Sequence, residues 1–95
     1  MDYSLIIPIF NEGNLLNDLL EDLKVLNETI EVILVDDGST DETPKILKNV
    51  KNYTIITNSQ NNGKGAAIKK GVEIAKNQNI ILFDGDLEIK AKSIP

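Results

Sequence analysis

The stretch that decides the fold of this chain is Val35-Asp36-Asp37-Gly38-Ser39-Thr40-Asp41. It follows an apolar run, Glu31-Val32-Ile33-Leu34-Val35, that is too short for a helix and rich in β-branched residues, which is typical of a buried strand. Gly38 permits a tight turn, and the residues that follow it are all good helix N-caps. A strand that ends in paired acids and leads into a capped helix is how open α/β sheets place polar groups at a ligand crevice.

The same stretch has a plainer interpretation. Asp-Gly is an ordinary turn signal, and acidic residues at the start of a helix interact favourably with the positive end of its dipole. From these residues alone, a ligand crevice and a well-formed turn are equally good interpretations. The other strand ends of the chain are needed to decide between them.

Composition limits the chemistry that this chain of 95 residues has available. The length suits one domain, so we expect residues 1–95 to form a single unit. Because the chain has no cysteine and no histidine, acid–base or metal chemistry must use carboxylates. The net charge of −5 argues against nucleic acid as a partner, and it would repel a phosphorylated ligand unless a cation intervened.

Hydropathy indicates where the protein is found. Apolar runs such as Leu5 to Phe10 are far shorter than the roughly 20 residues that span a bilayer. The N-terminus lacks the basic start and the small-residue cleavage site of a signal peptide. We therefore expect no membrane segment in this chain and a cytoplasmic location.

Periodicity predicts four strands that alternate with three helices. The strands are expected at Tyr3–Ile7, Ile30–Val35, Tyr53–Thr57 and Ile80–Phe83. The helices are expected over residues 15–26 with Asn14 as cap, and over about 41–50 and 64–77. Pro8 should end the first strand, residues 58–63 should form an exposed polar loop, and Gly71 should allow a close helix–sheet approach.

The alternation of strands and helices predicts an α/β fold, a Rossmann-like three-layer sandwich around a parallel sheet of about four strands. If the strand order is 3-2-1-4, the ends of strands one, two and four meet at one crevice. Those ends carry Pro8 to Glu12, Asp36 to Asp41, and Asp84 to Asp86. Their common location favours a ligand site over a mere turn.

Charged residues at this edge suit an anion held through a cation. Asp84 and Asp86 are close enough to repel each other unless a cation or a proton intervenes, and Mg²⁺ and Mn²⁺ prefer such oxygen ligands. Lys64 and the exposed amides that open the third helix suit an anion. Each feature also has a simpler explanation: a solvated turn at Asp84 to Asp86, a solvated loop lysine, and, for Glu12, a place in the first turn of a helix.

Four blocks in this order resemble a known family: Pro8 to Glu12, Val35 to Asp41, Asn62 to Gly65, and Asp84 to Asp86. The chain is similar in all four to the family 2 glycosyltransferases with the GT-A fold, including the dolichyl-phosphate mannose synthase-like members. A small departure is Phe10, where the family often has tyrosine.

The resemblance implies transfer of a sugar from a nucleotide-diphosphate sugar, with Mg²⁺ or Mn²⁺ as cofactor. By position, Pro8 and Glu12 would flank the base and the ribose, Asp37 would hydrogen-bond the nucleobase, and Asp36 would support that loop. Lys64 and its loop would lie near the diphosphate. The nucleotide-binding set implied in this way is Pro8, Glu12, Asp36, Asp37, Gly63, Lys64 and Asp84.

The same resemblance implies a metal site and a missing half. Asp84 would reach the ribose or the metal ion, and Asp86 would be the main protein ligand of the metal ion. Enzymes of this family look like two abutting halves, and the general base lies in the second, so we expect this chain to be a truncated protein or a gene remnant with no catalytic residue to name. It would hold at most the donor nucleotide and the metal ion, and a full-length parent could be membrane-associated.

Two further expectations concern partners and rival functions. The strand at residues 80–83 would be an uncovered apolar edge, which predicts self-association, most simply as a homodimer through that strand. A non-catalytic nucleotide-binding or regulatory module of the same fold remains an alternative. A receiver-like domain would need its acid pair after the first strand, and a nucleotidyltransferase would need a basic loop there; residues 11–14 provide neither.

Overall fold

The computed structural model describes residues 2–26 and 29–83, in which four strands alternate with three helices. The elements are β1 (Tyr3–Ile9), α1 (Gly13–Leu23), β2 (Ile30–Asp36), α2 (Thr43–Leu47), β3 (Thr54–Thr57), α3 (Lys64–Ile74) and β4 (Asn79–Leu82). All strands are parallel and lie in the order β3-β2-β1-β4. The predicted α/β class and strand order are confirmed.

Both faces of the sheet are covered, which produces three layers. On one face, leucines of α1 pack against alternate residues of β1, and Leu47 of α2 joins the same cluster; its members include Leu5, Ile7, Ile9, Leu16, Leu19 and Leu23. On the other face, Ala67 of α3 packs with Ile6, Ile33 and Val35. Because successive strand residues point to opposite faces, central strands covered on both sides are apolar at nearly every position, as β1 and β2 are.

Pro8 does not end β1, contrary to expectation. The strand continues to Ile9, and Pro8 pairs in register with Val35 of β2. Alternate residues of a strand direct their backbone groups to opposite sides, so Pro8 directs its nitrogen to the same side as Ile6, toward β4. There the last β1–β4 pair is Ile6 with Leu82, so the missing N–H lies beyond that ladder.

The helices are shorter than the periodicity predicts. α1 begins at Gly13 with Glu12 at the cap position, rather than after Asn14, and it leaves Leu15 exposed. α2 has five residues instead of about ten, because Asn49 and Val50 continue it only as turns that bond three residues back. Each helix therefore ends before the periodic apolar pattern of its sequence does.

Gly71 allows α3 to approach the sheet closely, as predicted. A Cβ atom at this position would lie 2.6 Å from Cγ2 of Ile6 in β1. The helix backbone itself therefore forms the contact with β1.

The outer side of β4 has no strand partner within the described part of the chain. Leu82 in this strand is 57% exposed, whereas Phe83 directly after it is buried. Self-association through this edge stays a prediction. None of the helices in residues 2–26 and 29–83 is long and apolar enough to cross a membrane.

Candidate functional site

A pocket of about 300 Å³ opens at the carboxyl edge of the sheet, where the loops after β1, β2 and β3 meet. Its lining consists of Pro8, Ile9, Phe10, Glu12, Asp37, Asn61, Gly63 and Lys64. Five of the seven residues that the resemblance assigns to the nucleotide are in this set. Asp36 is not, and Asp84 lies outside the described residues, as does Asp86.

Asp36 is fully buried at the end of β2 and shapes the turn behind the pocket. Its Oδ1 accepts the backbone N–H of Ser39 at 3.0 Å. Its backbone carbonyl accepts the N–H of Asn58 at 2.8 Å, which ties the loop after β3 to β2. Oδ2 is buried without a donor in the described part of the chain. These contacts fit a residue that supports the loop.

Asp37 holds the loop of residues 58–63 against β2. Its Oδ1 accepts hydrogen bonds from Asn58 Nδ2 and from the backbone N–H of Asn62, both at 3.0 Å. Its Oδ2 accepts the backbone N–H of Gly63 at 2.8 Å. Burial raises the pKa of Asp37, but these hydrogen bonds outweigh it and hold the pKa below its ordinary value. The carboxylate is therefore ionised at neutral pH.

One acceptor position of Asp37 faces no donor in the described structure. A carboxylate oxygen can accept two hydrogen bonds, and Oδ2 accepts only that of Gly63, whose N–H it shares with Asn61 Oδ1 at 2.9 Å. Since Asp37 also lines the pocket, the site can accept one N–H or O–H group from a ligand.

Asn58 and Lys70 were missed as site residues, and Asn58 corrects the expectation that the whole loop is exposed. Asn58 is only 5% exposed. Its side chain donates to Asp37 and accepts a hydrogen bond from Lys70 Nζ at 2.8 Å. The available signal was positional: Asn58 is the first residue after β3, at the edge where the other polar strand ends lie.

Asn11 joins the loop after β1 to the loop after β2. Its Oδ1 accepts the backbone N–H groups of Thr40 and Asp41 at 2.8 and 3.2 Å. Its own N–H donates to Ser39 Oγ at 2.9 Å. The backbone of Asn11 has φ of 50°, a left-handed conformation that asparagine tolerates better than most residues. The contact fixes the position of Phe10 and Glu12 at the pocket wall.

Asp41 bonds the first N–H of two helices: its Oδ1 accepts that of Thr43 in α2 at 2.8 Å, in the helix that the sequence predicts it to cap, and its Oδ2 caps α1 together with Thr43. The N–H of Gly13 donates to Asp41 Oδ2 at 3.0 Å, and the N–H of Glu12 donates to Thr43 Oγ1 at 3.1 Å. Neither α1 nor α2 has a cap bond from its own N-cap side chain. Hydrogen bonds from Thr43, through its side chain and backbone, hold the pKa of Asp41 below its ordinary value.

Opposite charges meet around the pocket. Glu12 and Asp37 line the pocket together with Lys64, which opens α3 directly after Gly63 with its φ of 97°. The first N–H groups of such a helix have no partner in its own backbone, so they favour an anion. Among the residues that the structure describes, no three acidic side chains are grouped closely enough to hold a metal ion.

A family model described as glycosyl transferase family 2 matches residues 4–95. The chain belongs to this family. The fold agrees, because the sheet order and the helices are those of GT-A glycosyltransferases.

Curated relatives of this family member are considerably longer. The chain is 41% identical to the uncharacterized protein MJ0544 of Methanocaldococcus jannaschii, over 95% of this chain and 42% of that protein. It is 36% identical to the dodecaprenyl-phosphate galacturonate synthase of Rhizobium johnstonii, over 100% of this chain and 31% of that one. The chain thus spans less than half the length of these relatives.

Solved glycosyltransferases share the fold. TarS 1-349 of S. aureus in complex with UDP-GlcNAc superimposes with a TM-score of 0.82 at 28% identity, over 98% of this chain and 29% of that one. The mannosyltransferase PcManGT of Pyrobaculum calidifontis, in complex with GDP-Man and Mn²⁺, gives a TM-score of 0.76 at 24% identity, over 88% of this chain and 27% of that one.

Proposed function

We propose that the pocket binds the nucleotide of a nucleotide-diphosphate sugar and that residues 1–95 are the donor-binding unit of a glycosyltransferase. The observation that supports this most is the pocket lining. Pro8, Glu12, Asp37, Gly63 and Lys64 come from three separate parts of the chain, at or beyond the ends of β1, β2 and β3, and all five line one cavity. Membership of glycosyl transferase family 2 supports a nucleotide-sugar donor as its ligand.

Each side of the pocket suits one part of the donor. Pro8, Ile9 and Phe10 offer an apolar wall for a planar base. The remaining acceptor position of Asp37 suits the ring N–H of uracil or guanine, and Glu12 suits the ribose hydroxyls. Lys64 and the start of α3 suit the diphosphate.

We propose a divalent metal ion as cofactor, held by Asp84 and Asp86. The support comes from the chain: a net charge of −5 disfavours a diphosphate without a cation, and β4 runs toward the same edge as the pocket. Paired carboxylates suit Mg²⁺ or Mn²⁺. When bound, the ion would neutralise charge on the departing diphosphate.

The names of two relatives support one class of acceptor. The Rhizobium johnstonii relative is named for a dodecaprenyl-phosphate product, and another at 35% identity is named as an undecaprenyl-phosphate transferase. We propose a polyprenyl phosphate as acceptor for the complete enzyme. Residues 1–95 would bind the donor without completing the transfer.

Calorimetric titration with UDP and GDP, each with and without Mn²⁺, tests the donor site. We expect one of the two to bind, more tightly with Mn²⁺, and Asp86→Ala to abolish the metal-dependent part. Lys90→Ala is the nearby control and should bind like the wild type. If neither nucleotide binds in the presence of Mn²⁺, the proposed function is wrong.

A further inference from the structure

We propose that Asn58 and Lys70 are positioning residues that fix the Asp37 carboxylate and, through it, the spacing between the base and diphosphate parts of the pocket. The inference rests on the proposed function. Neither residue lines the pocket, so both act through Asp37. Nothing in the four motifs of the sequence includes either of them.

Two hydrogen bonds connect Lys70, at the surface, to the buried Asp37 carboxylate through the side-chain amide of Asn58. Lys70 Nζ donates to Asn58 Oδ1 at 2.8 Å, and Asn58 Nδ2 donates to Asp37 Oδ1 at 3.0 Å. A positive charge at one end and a negative charge at the other permit a single orientation of the amide. They also polarise it, which strengthens both hydrogen bonds. The Asn58 amide therefore holds Asp37 in one rotamer.

Asp37 also fixes the position of the start of α3. It accepts the N–H groups of Asn62 and Gly63, the last two residues before the helix begins at Lys64. Lys70 lies on the same helix, nearly two turns further along. The path from Lys70 through Asn58 and Asp37 to Gly63 therefore closes a loop that fixes α3 relative to the carboxylate.

Removal of the Lys70 ammonium would release the amide. Asn58 Oδ1 would lie in a buried environment without its donor, and the amide could rotate away from Asp37. The carboxylate would then be less fixed, although all groups that line the pocket would still be present. The expected loss falls on the discrimination between bases, because an ill-positioned acceptor no longer distinguishes a ring N–H from a ring nitrogen.

Lys70→Met is the test variant, and Lys69→Met is its matched control. Both remove one exposed lysine of α3, so both change the net charge equally. For whichever of UDP and GDP binds, we expect Lys70→Met to weaken binding roughly three- to tenfold. It should also reduce the preference for UDP over CDP, or for GDP over ADP. Lys69→Met should leave the affinity and the base preference unchanged. Lys70→Arg, which keeps a donor, should retain both.

A purely structural role would lower the affinity for every nucleotide by the same factor. An unchanged ratio of UDP to CDP affinity, or of GDP to ADP affinity, in Lys70→Met would therefore overturn the inference. Equal affinities and equal base preferences in Lys70→Met and Lys69→Met would also overturn it.

Amide hydrogen exchange, measured by NMR without any ligand, separates this inference from the proposed function. Exchange at Asn62 and Gly63 should be faster in Lys70→Met and in Asn58→Ala than in the wild type and in Lys69→Met. If the wild type binds no nucleotide, the functional part of the inference fails together with the proposed function. If nucleotide binds but exchange at these two amides is unchanged, only the positioning role fails.

Discussion

Gly38 and Gln60 approach so closely that a Cβ atom on Gly38 would lie 2.4 Å from the carbonyl carbon of Gln60. Gly38 also has φ of 76°, where a side chain is strained whatever the surrounding space. The turn after β2 thus lies directly against the loop that carries Asn61 and Gly63 to the pocket. Two independent requirements exclude any other residue at this position.

Gly38→Ala should destabilise the protein by more than about 2 kcal/mol. The left-handed backbone costs about 1–2 kcal/mol for alanine, and a methyl group forced against backbone adds a typical overpacking cost of about 1–3 kcal/mol. Equilibrium unfolding in urea measures the change. Gly65→Ala is the control: its Cβ would meet nothing within 4 Å, and the helix should gain up to about 1 kcal/mol. Equal midpoints for the two variants would contradict the prediction.

Gly71→Ala should lower stability by about 1 kcal/mol, although alanine is the better helix former. The gain in helix propensity is about 1 kcal/mol, whereas a methyl group 2.6 Å from Ile6 Cγ2 costs about 1–3 kcal/mol. Thermal unfolding measures the net change in stability from these two effects. In an Ile6→Ala background the same substitution should cost less, because the atoms that it meets are gone. Strictly additive effects of Ile6→Ala and Gly71→Ala would show that this contact is not the cause.

The layers and the central position of β1 and β2 were predictable because their cause is local. A strand buried on both faces needs an apolar residue at nearly every position, and β1 and β2 have that pattern. Gly71 was interpretable for the same reason, since a glycine inside an amphipathic helix indicates a close approach. The grouping of Pro8, Glu12 and Asp37 followed from the rule that parallel strands end at one edge.

The contacts within the site were not predictable, because they join residues that are distant in sequence. The pattern of residues 39–41 shows three good caps but not which helix they serve, and Asp41 caps α1, 28 residues away. Asn58 has the composition of a loop residue, yet its burial depends on Asp37, 21 residues away. Side-chain type indicates that a hydrogen bond is needed, whereas only the fold determines its partner.

Asp41→Ala should loosen the start of α1. It leaves the N–H groups of Gly13 and Thr43 without their acceptor, and the other side-chain cap of α1, Thr43 Oγ1, bonds the N–H of Glu12 instead. We expect faster amide exchange at Gly13 and a lower midpoint of thermal unfolding. Asp18→Ala, on the exposed face of α1, removes an equal charge and should change neither. Unchanged exchange at Gly13 in Asp41→Ala would show that this cap contributes nothing.

Asp37 should make the free energy of unfolding depend on pH in the acid range. Burial raises its pKa, but hydrogen bonds from Asn62, Asn58 and Gly63 lower it below the ordinary value of 3.8. The folded state therefore binds its proton at lower pH than the unfolded chain does, so the stabilisation is complete well above pH 3.8 and is lost as pH falls through the lowered folded value.

Asp37→Asn isolates this contribution, since its amide cannot accept all the hydrogen bonds that the carboxylate accepts. At neutral pH we expect it to be about 1–3 kcal/mol less stable than the wild type, because donors that are buried or partly buried lose their acceptor. That difference should stay constant down to about pH 5 and shrink at lower pH, as the wild-type carboxylate is protonated first in the unfolded chain and then in the folded protein. Urea unfolding at a series of pH values measures it, with Asp18→Asn as the control for the removal of one charge. A difference between wild type and Asp37→Asn that grows toward acid pH would mean that the folded pKa of Asp37 is raised, and hence that burial outweighs the three hydrogen bonds.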